Sequence, residues 1–253
     1  LSCVGLVLAL WSHWWPVHPI GLQVEPSDSH QDLGSNQGLT QPEQRYVEPP
    51  KQTLEKLHRM VAQLKPLRAP LPPPQAGDWL SEQDELGQLF EDYVESHPIR
   101  PTPERHTIYI QPLGPFIEQQ QEIVTRTAEF IGHYFNLPVQ VRAGLPLSVV
   151  PASGFRWQGQ NRIQQMHTGT VLFQVLRPKL PADAAVFIAL TAVDLFPEPK
   201  WNFVFGQSST FHRVGVWSLA RYGDPRLGEV VRRQSLVRTI KIASHEIAHM
   251  FGL

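Results

Sequence analysis

The chain has 253 residues, and its 22 Lys and Arg nearly balance its 23 Asp and Glu, so the formal net charge is −1. This balance gives no electrostatic case for a nucleic-acid partner. The single cysteine, Cys3, excludes a disulfide within the chain and any CxxC metal site. Hydrophobic residues make up 42%, which is enough for an ordinary globular core.

An unbroken apolar run, Leu1–Trp11, opens the sequence. It has the length of a signal-peptide core but is too short to span a bilayer, which takes about 20 residues. Residues 1–20 are therefore a candidate signal or anchor segment, and membrane association is expected only through them. The protein would then be extracytoplasmic or membrane-tethered, and otherwise cytoplasmic. Because the first residue is Leu rather than Met, we expect a longer reading frame.

Residues 21–74 have the composition of a linker, rich in Gln, Ser, Gly and Pro. Such a segment cannot bury enough apolar surface to fold by itself. A short helix is predicted over Gln52–Leu64, where leucines and a valine recur at helical spacing. The stretch PLRAPLPPP, Pro66–Pro74, is typical of extended chain. The compact domain is therefore predicted to span residues 75–253.

The first half of this domain alternates helix and strand. A helix is predicted within Asp78–Ser96, a strand at His106–Gly114, an amphipathic helix at Phe116–Phe135 and a second strand at Pro138–Ala143. A strand, helix and strand in succession predict a parallel pair joined by a crossover helix.

The second half begins with a turn-rich segment, 144–159, and a predicted helix at Thr168–Leu180. The continuous apolar run Ala184–Thr191 predicts a strand buried on both faces, central in a parallel sheet. Asn202–Ser208 and Val214–Ala220 are predicted to pair antiparallel. A final helix is predicted over Gly228–Phe251.

The final helix carries two histidines four residues apart. On a helical wheel its apolar residues form one stripe, and His245 and His249 lie roughly opposite, facing a cleft or solvent. Because residues i and i+4 are neighbours on a helix, both imidazoles can reach one ion. Glu246 would project beside that ion, as suits a base for an activated water. The stripe consists of Leu236, Ile240, Ala243, Ile247 and Met250 or Phe251.

HEIAH, His245–His249, matches the HExxH pattern of zinc peptidases. Gly252 extends it to HExxHxxG, the metzincin form, in which a third histidine follows three residues later. That residue would be at position 255, beyond the given sequence. The alternative interpretation is two surface histidines that flank a glutamate on a solvated helix face.

Several stretches resemble the archaemetzincins, a family of metzincin-type zinc peptidases. The resemblance covers about Pro72–Leu253, and residues 1–71 lie outside it. It is carried by Pro72–Leu80, Ile108–Phe116, Leu176–Ser209, Val214–Arg221 and Ser244–Leu253.

The resemblance implies an α/β fold of the metzincin (zincin) upper-subdomain type. This is a mixed, mostly parallel five-stranded sheet with an antiparallel edge strand and two main helices. It also implies a zinc-dependent peptidase, with a leaning toward aminopeptidase action on peptide substrates. His245 and His249 are carried over as zinc ligands and Glu246 as general base. A second, structural zinc ion is implied downstream. With only two ligands, residues 1–253 alone are expected to be inactive.

The residues of the motif are also compatible with two other functions. The domain could be a zinc-binding or interaction module without turnover, or a zinc hydrolase of non-peptide substrates. Outside the zinc motif, Asp194 is expected to stabilise a turn and His212 to be a surface-loop residue. The alternating aromatics Trp201, Phe203 and Phe205 are expected to pack in the core.

Overall fold

The computed structural model describes residues 51–64, 66, 73, 89–96, 98–160 and 162–253. Helix α1 (Lys51–Leu64) belongs to one unit, and the described residues from 89 onward form a second unit. Helix α1 confirms the prediction for Gln52–Leu64. The candidate signal segment, most of the linker and the predicted domain start near residue 75 lie outside the described residues. None of the described helices is both long and apolar enough to cross a membrane.

The described part of the second unit contains eight strands. In chain order they are β1 (Thr107–Leu113), β2 (Val139–Val141), β3 (Phe155–Gln158), β4 (Ile163–His167), β5 (Ala184–Thr191), β6 (Asp194–Phe196), β7 (Gly206–Ser209) and β8 (Val214–Ser218). Five of them form a sheet in the order β2-β1-β5-β8-β7. All pairs in it are parallel except β7–β8, which is antiparallel. The predicted mixed, mostly parallel sheet with an antiparallel edge strand is confirmed.

Two long helices, α3 (Glu118–Phe135) and α5 (Glu229–Met250), cover one face of the five-stranded sheet. The second unit also contains α2 (Phe90–Glu95) and the short α4 (Thr168–Thr170). Helix α3 begins where the Ile117 N–H donates to Gln120 Oε1 at 3.2 Å, and it ends at Asn136, whose φ is 51°. Helices α3 and α5 pack against each other and on the sheet, so the two main helices expected from the resemblance are present.

The opposite face of the sheet is covered by the helical segment that starts with α4. It continues as a π-helical turn, Val171–Leu176, and a 3-10 turn, Arg177–Lys179. Val171, Leu172, Val175 and Leu176 join a buried cluster with residues of β1, β5 and β8. Strand β5 is therefore buried at every residue, which explains its unbroken apolar sequence. A helix over Thr168–Leu180 is thus confirmed in extent, although only its first turn is α-helical.

Two sequence predictions are corrected by the structure. The segment 144–159 contains the strand β3 as well as turns, and β3, β4 and β6 form a second, three-stranded sheet. The strand predicted over Asn202–Ser208 begins only at Gly206. Upstream of it, Val204 instead bonds to Leu195 across an isolated bridge, with Val204 N 3.0 Å from Leu195 O. This contact holds residues 201–204 away from the β7–β8 ladder, whereas Phe205 O still accepts from Ser218 N of β8 at 2.8 Å.

The aromatic residues of that segment, Trp201, Phe203 and Phe205, do not lie on one face of a core strand. Trp201 is 51% exposed. The guanidinium of Arg221 lies 3.5 Å from the centre of the Phe203 ring, and the Phe205 ring stacks on Tyr222 at 5.8 Å. The expectation of simple core packing is therefore wrong for Trp201, while Phe203 and Phe205 pack on residues that follow β8.

Candidate metal centre

The two histidines of the motif converge on one point beside helix α5. His245 Nε2 and His249 Nε2 are 2.9 Å apart, and the ring centroids are separated by 4.2 Å. His245 is partly buried, whereas His249 is exposed. The helical spacing therefore has the geometric result that the sequence predicted: both imidazoles present a nitrogen to the same small volume.

A hydrogen bond orients the second imidazole. His249 Nδ1 lies 2.8 Å from the main-chain oxygen of Leu253. Since a carbonyl oxygen only accepts, Nδ1 carries the proton and donates, which leaves a lone pair on Nε2. Metal-binding histidines are commonly oriented in this way by a carbonyl or carboxylate.

The donor set fits zinc. Neutral imidazole nitrogens bind zinc at about 2.0–2.1 Å, so two of them in a tetrahedral site lie about 3.3 Å apart. The observed 2.9 Å between the Nε2 atoms is within a few tenths of an ångström of that spacing. Burial and the neighbouring His249 lower the pKa of His245 to about 4, which keeps this imidazole in the neutral form that binds metals. Among the described residues, no third His, Cys, Asp or Glu completes a cluster with the pair.

Glu246 points away from solvent, toward the edge strand of the sheet. It is only 7% exposed. Burial raises the pKa of its carboxyl to about 7, and hydrogen bonding from Ser208 of β7 opposes that rise. The sequence predicted a carboxylate beside the metal position, and the structure adds that this carboxylate is packed under β7.

The buried stripe of α5 differs from the predicted one. Leu236 and Ile240 are only partly buried, whereas Ser235 and Thr239 are buried. These polar residues are tolerated because hydroxyls bond to carbonyls one turn earlier, as Thr239 Oγ1 does to Ser235 O at 2.8 Å. Helix α5 packs on the sheet with one side and on α3 with another. It therefore buries a wider part of its surface than the single apolar stripe predicted from the sequence.

The hairpin of β7 and β8 is tied to the same end of α5. Thr210, which follows β7, donates from Oγ1 to His249 O at 3.0 Å. Gly206, at the start of β7, has no side chain where the Glu246 carboxyl lies. Sequence reasoning found none of Gly206, Ser208 and Thr210, because small polar residues at a strand end carry no signal of which helix they face.

The two other residues considered in the sequence, Asp194 and His212, have hydrogen-bond partners outside the histidine pair. Asp194 is buried and receives two hydrogen bonds from Arg221, at 2.8 and 2.7 Å, and one from Gln165 at 2.7 Å. It therefore links β6, β4 and the segment after β8, rather than stabilising only a local turn. His212 contacts Ser209 at 2.9 Å in the hairpin loop, and burial, with Arg177 nearby, lowers its pKa.

The mostly parallel sheet, with its antiparallel edge strand packed on the HExxH helix, is the arrangement that the resemblance to metzincin-type peptidases implies. The chain is 32% identical to archaemetzincin-2 of Homo sapiens over 208 residues, a match that covers 70% of this chain and 57% of that relative. Over this match the chain is similar to the archaemetzincins. The match thus spans little more than half the length of that relative.

Two solved structures are also similar. The archaemetzincin of Methanopyrus kandleri is 26% identical, with a TM-score of 0.44 over 60% of this chain and 77% of that one. A zinc-dependent peptidase of Methanocorpusculum labreanum is 21% identical, with a TM-score of 0.44 over 57% and 81%. No family model matches the chain.

Proposed function

We propose that the intact protein is a zinc-dependent peptidase whose site is built on the last turns of α5. His245 and His249 hold the ion, and Glu246 is the general base. The observation that carries this proposal is the convergence of the two Nε2 atoms at 2.9 Å, on a helix that also places a buried carboxylate against the edge strand.

Zinc held by the two imidazoles would polarise the scissile carbonyl and lower the pKa of the attacking water toward about 7. Glu246 accepts the proton of that water and passes it to the leaving amine. The His249–Leu253 hydrogen bond keeps the Nε2 lone pair directed at the ion. The contact of His249 with Leu253 and that of Glu246 with Ser208 support these roles.

The edge strand offers a place for the peptide. Strand β7 ends the sheet order, so within the described residues one of its sides has no strand partner. An extended peptide could add to that side by main-chain hydrogen bonds. Because β7 also contacts Glu246, a peptide on this edge would run past the proposed base.

Aminopeptidase action is the narrower form of the proposal and rests on the resemblance of the sequence to archaemetzincins. It can be tested with one peptide in two forms, with a free and with an acetylated N-terminus. An aminopeptidase cleaves only the free form, whereas equal cleavage of both forms would favour an endopeptidase.

The decisive experiment compares Glu246→Ala and His249→Ala with the wild-type intact protein, by peptide hydrolysis and by metal analysis. Removal of a general base costs about 10²–10⁴-fold in rate, so Glu246→Ala should lose hydrolysis by that factor and keep its zinc. His249→Ala should lose both. Unchanged turnover in Glu246→Ala would remove this residue from the mechanism.

The same measurements separate the alternatives. A zinc-binding module without turnover would bind the ion through the histidine pair and cleave no peptide in a broad panel. A hydrolase of non-peptide substrates would cleave ester or amide compounds but no peptide. The number of zinc ions per chain tests the second, structural ion that the resemblance implies.

A further inference from the structure

The start of the edge strand leaves room for the proposed base at one residue, Gly206. A Cβ built on Gly206 would lie 2.8 Å from Glu246 Oε1 and 3.0 Å from the carboxyl carbon of Glu246. Both separations are shorter than ordinary van der Waals contact. The carboxyl of Glu246 therefore occupies the space that any other residue at position 206 would fill.

The opposite wall of this space cannot move. The same Cβ would lie 3.0 Å from the main-chain oxygen of Val216. Val216 belongs to β8, which is paired with β7 on one side and with β5 on the other. Because a strand in the middle of a sheet is fixed by its ladders, a side chain at position 206 would have to displace the far end of Glu246.

The remaining contacts of β7 point to the same arrangement. Ser208 lies two residues after Gly206, so it is on the same face of the strand, and its hydroxyl bonds to the Glu246 carboxyl. Thr210 Oγ1 then donates to His249 O at 3.0 Å. The edge strand thus contacts α5 at both Glu246 and His249.

We infer that Gly206 is a positioning residue for the proposed general base: its missing side chain lets β7 press against Glu246 and hold the carboxyl at one depth beside the histidine pair. This inference rests on the proposed role of Glu246. Restoring an ordinary separation would shift the carboxyl by about 0.6 Å or more, and displacement of a reacting group by about 1 Å can cost on the order of 10²-fold in rate.

The test is Gly206→Ala in the intact protein, with Gly154→Ala as the matched control. At Gly154 a Cβ would lie 2.9 Å from side-chain carbons of Thr170 and Val150, so the crowding is similar. These neighbours are β-branched and stiff, whereas the nearest neighbour of Gly206 is the flexible end of Glu246. The two variants should therefore behave in opposite ways.

We expect Gly206→Ala to lower kcat at least about 10-fold, with KM and bound zinc close to those of the wild type. Gly154→Ala should lower the melting temperature and keep kcat. A double variant separates positioning of Glu246 from a general effect on the fold. Glu246→Asp withdraws the carboxyl by one methylene, so a Cβ at position 206 no longer displaces it. Adding Gly206→Ala to Glu246→Asp should therefore lower kcat little further.

Three results would overturn the inference. The first is a kcat of Gly206→Ala equal to that of the wild type. The second is that Gly206→Ala lowers kcat by the same factor in the wild type and in the Glu246→Asp variant. The third is a loss of bound zinc from Gly206→Ala. Full activity of Glu246→Ala would overturn the proposed function and this inference together. An inactive Glu246→Ala beside a fully active Gly206→Ala would overturn the inference alone.

Discussion

Two Arg–Asp pairs in this domain have nearly the same geometry and very different surroundings. Arg221 Nη2 and Asp194 Oδ2 are 2.7 Å apart, with side-chain exposures of 32% and 4%. Arg226 Nη2 and Asp224 Oδ2 are also 2.7 Å apart, with exposures of 65% and 34%. Replacing each arginine by alanine therefore compares a largely buried ion pair with an accessible one.

The expected costs follow from what each substitution leaves behind. Arg221→Ala leaves the buried Asp194 with the Gln165 amide as its remaining side-chain donor, and breaking such a pair costs about 3–5 kcal/mol. The contact of Arg221 with the Phe203 ring adds to the loss. Arg226→Ala leaves an accessible Asp224 that water can hydrate, so it should cost far less than Arg221→Ala. For a domain of this size the loss in Arg221→Ala corresponds to about 10 °C in melting temperature.

Urea unfolding followed by circular dichroism measures both variants under one condition, and Arg221→Lys serves as the intermediate case. Lysine keeps the charge but cannot make the two parallel hydrogen bonds to Asp194, so it should recover only part of the loss. Free energies of unfolding for Arg221→Ala and Arg226→Ala that agree within about 1 kcal/mol would refute the argument, because burial would then not decide the cost.

Three further outcomes are expected. Zinc at 1,000 times its dissociation constant should stabilise the intact protein by about 4 kcal/mol, and His249→Ala should abolish that rise in melting temperature. The Asp183 carboxylate accepts hydrogen bonds from Tyr109 at 3.0 and 3.1 Å, and this bonding lowers its pKa. The contribution of Asp183 to stability is therefore present at neutral pH and is lost as the pH falls through its folded-state pKa. Asp183→Asn should then lose less stability than the wild type between neutral and acidic pH. Equal dependence of the unfolding free energy on pH in the two proteins would contradict this. Phe187→Ala, in the fully buried β5, should cost about 3–5 kcal/mol, while Leu227→Ala, 75% exposed, should cost less than about 0.5 kcal/mol by the same unfolding assay.

Much of the fold could be predicted because long periodic segments dominate it. Helices α3 and α5 and strands β1, β5 and β8 lie where their apolar spacing predicts them. Their signals are strong because each element buries a wide face against the sheet or a helix. The pairing of β7 with β8 also followed from their closeness along the chain.

The failures concentrate where local preference and tertiary contacts disagree. Trp201, Phe203 and Phe205 alternate as in a strand, yet the Val204–Leu195 bridge and the stacking of Arg221 on Phe203 keep residues 201–204 out of the β7–β8 ladder. The three-stranded sheet was missed because its members are short and half-polar. No spacing along the chain indicated that Gln165, Asp194 and Arg221 would meet.

In the candidate site, too, local features followed from the sequence and long-range contacts did not. The sequence by itself determined that His245 and His249 converge, because four residues make about one helical turn and the geometry of the turn is local. It also determined that Glu246 lies beside them. Only the tertiary structure decided that Glu246 is buried and that Gly206 and Ser208 border its carboxyl. Those contacts join residues about forty positions apart, and their positions are set by the packing of β7 on α5 rather than by any pattern along the chain.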